Sequence, residues 1–282
     1  MVFDKQYYYF VSGLPDIFFD SSKLPFTVEE FRAMLEDVLS PKDKKLIDKY
    51  FLKHDNHNLM VYLKDKNAKL KEEGRISAEE IKETIDSVAV DFPVQDAKIP
   101  SYFEDYIRLW LDENAHTENK LWEDLMTSFY MDYGMESKNS LVARWFELNL
   151  NIGNILAAIY SRKYGRDVNS SIVGNNEVAQ FIRENSNARD FGLSRELDYF
   201  DNLLRLSEEN DIYERERKID KLRWDWLEEN TVFDYFNIEY IFAYLCKLQI
   251  LERWVSLNAE EGERVFRALI NNLKGEVPMP EE

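Results

Sequence analysis

A single cysteine, Cys246, stands among 282 residues, so no internal disulfide can form and no thiolate cluster can hold a metal. It lies in an apolar helical run, the setting of a buried and inert thiol. Glycine, at 9, and proline, at 7, are too few to punctuate a sheet-rich fold with tight turns. No stretch approaches the roughly 20 apolar residues of a membrane span. The start, Met-Val-Phe-Asp-Lys-Gln, has neither the basic region nor the small-residue cleavage site of a secretory signal. Both absences lead to the expectation of a soluble, cytoplasmic chain. Cations are also outnumbered: 36 Lys and Arg against 54 Asp and Glu leave a net charge of −18. That field repels nucleic acid and opposes direct adhesion to an anionic membrane. The Lys-rich stretches at 42–45 and 64–71 are interrupted or flanked by acids and form no basic stripe.

Aromatic residues, by contrast, are abundant, with 18 Phe, 16 Tyr and 6 Trp. Large rings fill the gaps between crossing helices and are enriched at protein interfaces. Helical signals recur along the whole chain. Thr27 with Glu30 and Ser77 with Glu80 read as capping boxes ahead of apolar runs at i, i+3 and i+4 spacing. Ser40-Pro41 reads as a cap and first helical residue of a helix through Tyr50, with a further short helix over 55–65. The charged stretch 64–75 reads as a solvated helix end and linker, and residues 90–100, with two prolines, as a crossover. Helices are expected over about 101–114, 118–132, 138–164, 176–185, 194–209, 213–229, 233–256 and 259–273, before a loose tail at 277–282. Tyr7 to Val11 fits either a helical turn or a short strand. The fold class is all-α.

A weak internal repeat runs through this pattern. Residues 150–159 align without gaps onto 236–245, sharing Asn151/Asn237, Ile152/Ile238, Ile155/Ile241 and Ala157/Ala243. Residues 55–63 follow the same outline, with Asp55 in the first polar position and Asn58 where Asn154 sits. Each copy places a short polar side chain ahead of a long apolar run, which reads as an N-cap or a helix-entry hydrogen bond. Asp55, Asn58, Asn151, Asn154 and Asn237 are therefore the candidate structural organisers, and spaced repeats of this kind mark a helical array.

Motifs that carry chemistry are missing. No Gly-rich phosphate loop, no nucleophile turn of the G-x-S-x-G type and no H-E-x-x-H pair occurs. Histidine is limited to His54, His57 and His116. Glu113-x-x-His116 has di-iron spacing, but such a site needs a second Glu-x-x-His, and neither remaining histidine supplies one. His54-Asp55-Asn56-His57 reads as a polar helix start before it reads as a metal site. Acidic pairs such as Glu208-Glu209 and Glu260-Glu261 read as solvated helix faces, since acid–base pairs need opposed, buried environments. No catalytic residue, cofactor or metal is expected.

The segment from Phe236 to Trp254 resembles the C-terminal signature of the C subunit of A/V-type rotary ATPases, the counterpart of the eukaryotic d subunit. In that family an apolar helix continues into a polar run where Arg follows an acid, here Glu252-Arg253. Its three helical units each carry an Asp- or Asn-led segment followed by Asn, matched by Asp55…Asn58, Asn151…Asn154 and Asn237, with Tyr240 in place of the last Asn. Tyr7-Tyr8-Tyr9-Phe10 and Gly13-Leu14-Pro15-Asp16 are also similar to the start of a bacterial family associated with V-type ATPases. The resemblance implies three similar helical units, over 1–95, 96–185 and 186–282, arranged as a funnel about a pseudo-threefold axis. It implies a non-catalytic rotor subunit whose partners are the central shaft and the membrane rotor ring, placed at the cytoplasmic membrane face through that ring. Two other readings fit an all-α acidic chain. A helical scaffold or adaptor would lack the threefold arrangement of the repeats. An enzyme would show titratable groups converging on a cavity.

Overall fold

The computed structural model of the chain describes residues 7–94, 96, 98–112 and 121–257. Among these the backbone forms eleven α-helices and no strand, as the scarcity of glycine and proline led us to expect. They are α1 (Tyr8–Ser12), α2 (Val28–Val38), α3 (Pro41–Lys64), α4 (Ala78–Ala89), α5 (Tyr102–Leu111) and α6 (Trp122–Met135). There follow α7 (Ser140–Lys163), α8 (Glu177–Glu184), α9 (Phe200–Ser207), α10 (Ile212–Asn230) and α11 (Ile238–Ser256). The expected helix at 259–273, the tail at 277–282 and the Glu113-x-x-His116 pair lie outside the described residues.

Both capping boxes form. Thr27 Oγ1 accepts from the Glu30 amide at 3.1 Å while Glu30 accepts from the Thr27 amide at 2.7 Å. Ser77 and Glu80 make the same exchange at 3.2 and 2.6 Å. The Lys98 ammonium also bonds Glu80 at 2.8 Å, and together with the Ser77 amide it holds that carboxyl below its ordinary pKa. Elsewhere the helix boundaries differ from the expected ones. Residues 41–64 form one helix, not two, because the apolar face continues through Phe51 and Leu52 with no glycine or proline to break it. Tyr8–Ser12 is a helical turn, not a strand. α11 begins five residues later than expected, since 231–237 turn before the cap at Asn237. α9 covers only Phe200–Ser207 of the expected 194–209.

By packing, the chain divides into two compact units, Met1–Lys44 with Arg205–Glu282, and Lys45–Leu204. In the first, α11 is buried on nearly every side, through Ile241, Phe242, Leu245, Cys246, Leu248 and Leu251 among others. α2 and α10 pack against it. Phe31 of α2 lies between the rings of Phe26, at 5.5 Å, and Tyr244, at 5.2 Å. The Tyr244 hydroxyl donates to the Pro15 carbonyl at 2.9 Å, which fixes the Gly-Leu-Pro segment on α11. The Tyr7 hydroxyl donates to Asp43 and accepts from the Ser40 amide at 3.2 Å. Burial and the Asp43 carboxylate push the Tyr7 pKa up.

In the second unit α6 packs on α7, α5 on α4 and α6, and α8 on α7. Gly134 of α6 lies directly against the Phe146 ring of α7, which an added Cβ would overlap. Gly134→Ala is therefore expected to force that ring out of place and cost about 1–3 kcal/mol, seen as a lower urea midpoint. A stability equal to wild type would mean that the two helices can slide apart without loss. Across the same unit the Tyr130 hydroxyl donates to the Tyr50 carbonyl at 2.9 Å, and Tyr102 donates to Asn56 at 2.5 Å.

Candidate functional site: polar clamps on the long helices

Asp55, Asn58, Asn151 and Asn154 are not helix caps. α3 begins at Pro41 and α7 at Ser140, with Asn139 as its N-cap, so all four lie inside 24-residue helices. Their relative exposures are 0, 1, 3 and 2 %. Side chains three apart in a helix share a face, and here each pair reaches across to the loop that follows its own helix.

On α3, Asn58 Oδ1 accepts from the Lys71 amide at 2.8 Å and its Nδ2 donates to the Lys71 carbonyl at 2.9 Å. Asp55 Oδ1 accepts from the amides of Arg75, at 2.6 Å, and Ile76, at 2.9 Å, just before the N-cap Ser77. On α7, Asn154 Oδ1 accepts from the Val173 amide at 2.9 Å and its Nδ2 donates to the Val173 carbonyl at 2.8 Å. Asn151 Oδ1 accepts from the side chain of Asn176, the N-cap of α8, at 2.7 Å. Its own Nδ2 donates to the Tyr199 hydroxyl at 3.3 Å.

The two arrangements match in detail. In each the second residue of the pair grips both polar groups of one backbone position, and the first fixes the entry of the next helix. The loops they hold, 65–77 and 164–176, are both thirteen residues long. Each also contains a glycine that the clamp requires. A Cβ on Gly74 would lie 2.5 Å from Asn58 Nδ2, and Gly174 has φ +73° with Leu150 at 3.2 Å from its would-be Cβ. The stretch 64–75, read from its charges as a solvated linker, is therefore tied down by its backbone. Further along α7, Arg162 donates to the carbonyls of Ser186 and Ala188, both at 2.7 Å, and Arg189, at 3.0 Å. Its guanidinium lies 3.9 Å from the Phe191 ring centroid.

Asn237 differs. It is the N-cap of α11, its side chain accepting from the Tyr240 amide at 3.1 Å and donating to Asp234 at 2.6 Å. The gap-free alignment of 150–159 with 236–245 thus lays a helix interior over a helix entry. In the first unit a buried carboxylate, Asp220 of α10, which sequence reasoning missed, joins two helices. Its Oδ2 accepts from Arg253 Nη1 and Trp254 Nε1, both at 3.0 Å, and its Oδ1 from Arg223 Nη1 at 2.8 Å. Arg253 Nη2 reaches Glu216 at 3.3 Å. Glu252, its neighbour, accepts from the Val28 amide at 3.0 Å and so adds a carboxylate to the N-terminus of α2.

These groups hold backbone and pack helices. In the run His54 to His57, Asn56 is committed to Tyr102 and Asp55 to the loop amides, and burial pushes the His57 pKa down. Among the described residues no group of three His, Cys, Asp or Glu side chains is placed to hold a metal ion, and no helix is long and apolar enough to cross a membrane. A family model described as Protein of unknown function (DUF2764) matches residues 4–277. No curated protein and no solved structure matches the chain.

Proposed function

We propose that this chain, which belongs to the DUF2764 family, is a non-catalytic rotor subunit of a V-type ATPase that couples the central shaft to the membrane rotor ring. The observation that carries the reading is the duplicated clamp: Asp55/Asn58 over 71–76 and Asn151/Asn154 over 173–176. A part that transmits torque must not yield at its loops, which are ordinarily the softest elements of a helical protein. Here two such loops are held over their second halves, at 71–76 and 173–176, by side chains from the preceding helix. The repeated clamp also favours an assembly of similar helical units; that there are three of them, in a funnel about a pseudo-threefold axis, is what the resemblance implies. The Glu252-Arg253 pair that carries the resemblance is engaged at both residues, one on α2 and one on α10.

With a net charge of −18 and no membrane-spanning helix among its described residues, the chain would reach the cytoplasmic membrane face through the ring. The test is to co-express the host's shaft and ring subunits with and without this chain and resolve them by size exclusion. Shaft and ring should co-migrate only when it is present. If they behave identically without it, a helical scaffold serving other partners takes precedence.

A further inference from the structure

Segments 7–18 and 231–240 meet in the first unit. The Tyr7 amide donates to the Phe236 carbonyl at 2.5 Å, and the rings of Tyr8 and Phe236 lie 4.6 Å apart. Asp16 stands close enough to the Tyr240 hydroxyl to help raise its pKa. Together the two segments hold nine aromatic residues, three carboxylates (Asp16, Asp234 and Glu239) and no lysine, arginine or histidine. Much of this aromatic surface faces outward: Tyr9 is 97 % and Phe233 90 % exposed, and Tyr8, Phe18, Val232 and Tyr235 are exposed as well.

Exposed aromatic residues gathered where two segments meet are uncommon on a chain that works alone, and rings of this kind anchor protein interfaces. Its charge selects the occupant. An anionic lipid surface would be repelled by carboxylates that no cation within these segments offsets, and so would a second copy of a chain carrying −18. We infer that the joined 7–18 and 231–240 segments form a docking surface for a partner protein segment that presents an apolar face flanked by lysine or arginine. Apolar side chains of the partner would pack on Tyr9 and Phe233, and its cations would meet Asp16 and Asp234. The inference stands apart from the coupling reading, since loss of this surface need not stop shaft and ring from co-migrating, and the converse also holds.

The test uses the full chain and a fluorescent amphipathic helix of leucine and lysine, beside a twin with glutamate in place of lysine. Binding is read by anisotropy. The lysine peptide should bind and weaken as salt rises, and the glutamate twin should not bind. Tyr9→Ser with Phe233→Ser leaves the net charge unchanged, so it separates this surface from general attraction to an acidic protein. It should weaken binding about tenfold or more, and Asp16→Asn should flatten the salt dependence. Unchanged binding by the double variant overturns the proposal. So does co-sedimentation of the wild type, lost in the double variant, with phosphatidylserine vesicles, or a concentration-dependent dimer that the same substitutions abolish.

Discussion

Asn154→Ala is expected to lower the unfolding free energy by about 2–4 kcal/mol, read as a fall in the urea midpoint at unchanged slope. The side chain satisfies the amide and the carbonyl of Val173 at once, at 2.9 and 2.8 Å. Alanine removes both partners at a side chain that is itself buried, and a buried donor or acceptor left unmade costs about 1–3 kcal/mol. An asparagine on a solvated helix face would cost within about 0.5 kcal/mol, so the two roles are well separated. Asn154→Asp should not rescue, because a carboxylate keeps the acceptor for the Val173 amide but turns a second acceptor towards its carbonyl. Hydrogen exchange gives the local readout. The Val173 amide should lose protection in Asn154→Ala, and the Lys71 amide should lose it in Asn58→Ala. Full protection at both positions, with stability near wild type, would remove the clamps from the account.

How much of this the sequence discloses depends on how far apart the partners lie along the chain. The capping boxes at Thr27/Glu30 and Ser77/Glu80 span three residues, and a local rule finds both. Asn58 and Lys71 are 13 residues apart, Asn154 and Val173 are 19, and Asp220 and Trp254 are 34. Nothing local announces such pairs. The polar run 55–58 instead looks like a helix start, because aspartate and asparagine favour caps when their side chains have no other partner. In α3 they have other partners, so the helix runs through them. The repeat itself was visible, and with it four of the residues that form the clamps. The direction in which they point was not, since the composition of 64–75 gives no sign that its backbone is held.

The same distance effect governs the opening of the chain. Periodicity could not decide whether Tyr7 to Val11 coils or extends. The Tyr7 amide and hydroxyl, bonded to Phe236 and Asp43, fix where this segment lies. Those bonds also place Tyr8 beside Phe236, so the Tyr-rich start meets a segment more than two hundred residues away. An aromatic run that looks like core filling in the sequence thus divides in two. Tyr7 and Val11 enter the interior, while Tyr9 is left in solvent.

Asp220→Ala should be the most destabilising change in the first unit, by about 3–5 kcal/mol. The carboxylate is 3 % exposed and accepts from three donors. Its loss is felt unequally among them. Arg253 retains Glu216 and a side chain that is 42 % exposed, so water can replace what it loses. Trp254 is buried, and its indole N–H would be left without an acceptor on the α10–α11 contact. Asp220→Asn separates the two contributions. The amide oxygen can still accept from Trp254 while the charge opposite Arg253 and Arg223 is gone, so a cost nearer about 1–2 kcal/mol is expected. Trp254 fluorescence should shift to the red in the alanine variant, as the indole gains water, and stay close to wild type in the asparagine variant. Equal losses in both would show that the charge, not the indole hydrogen bond, binds α10 to α11. The two helices would then come apart more readily at high salt than the geometry of Asp220 leads us to expect.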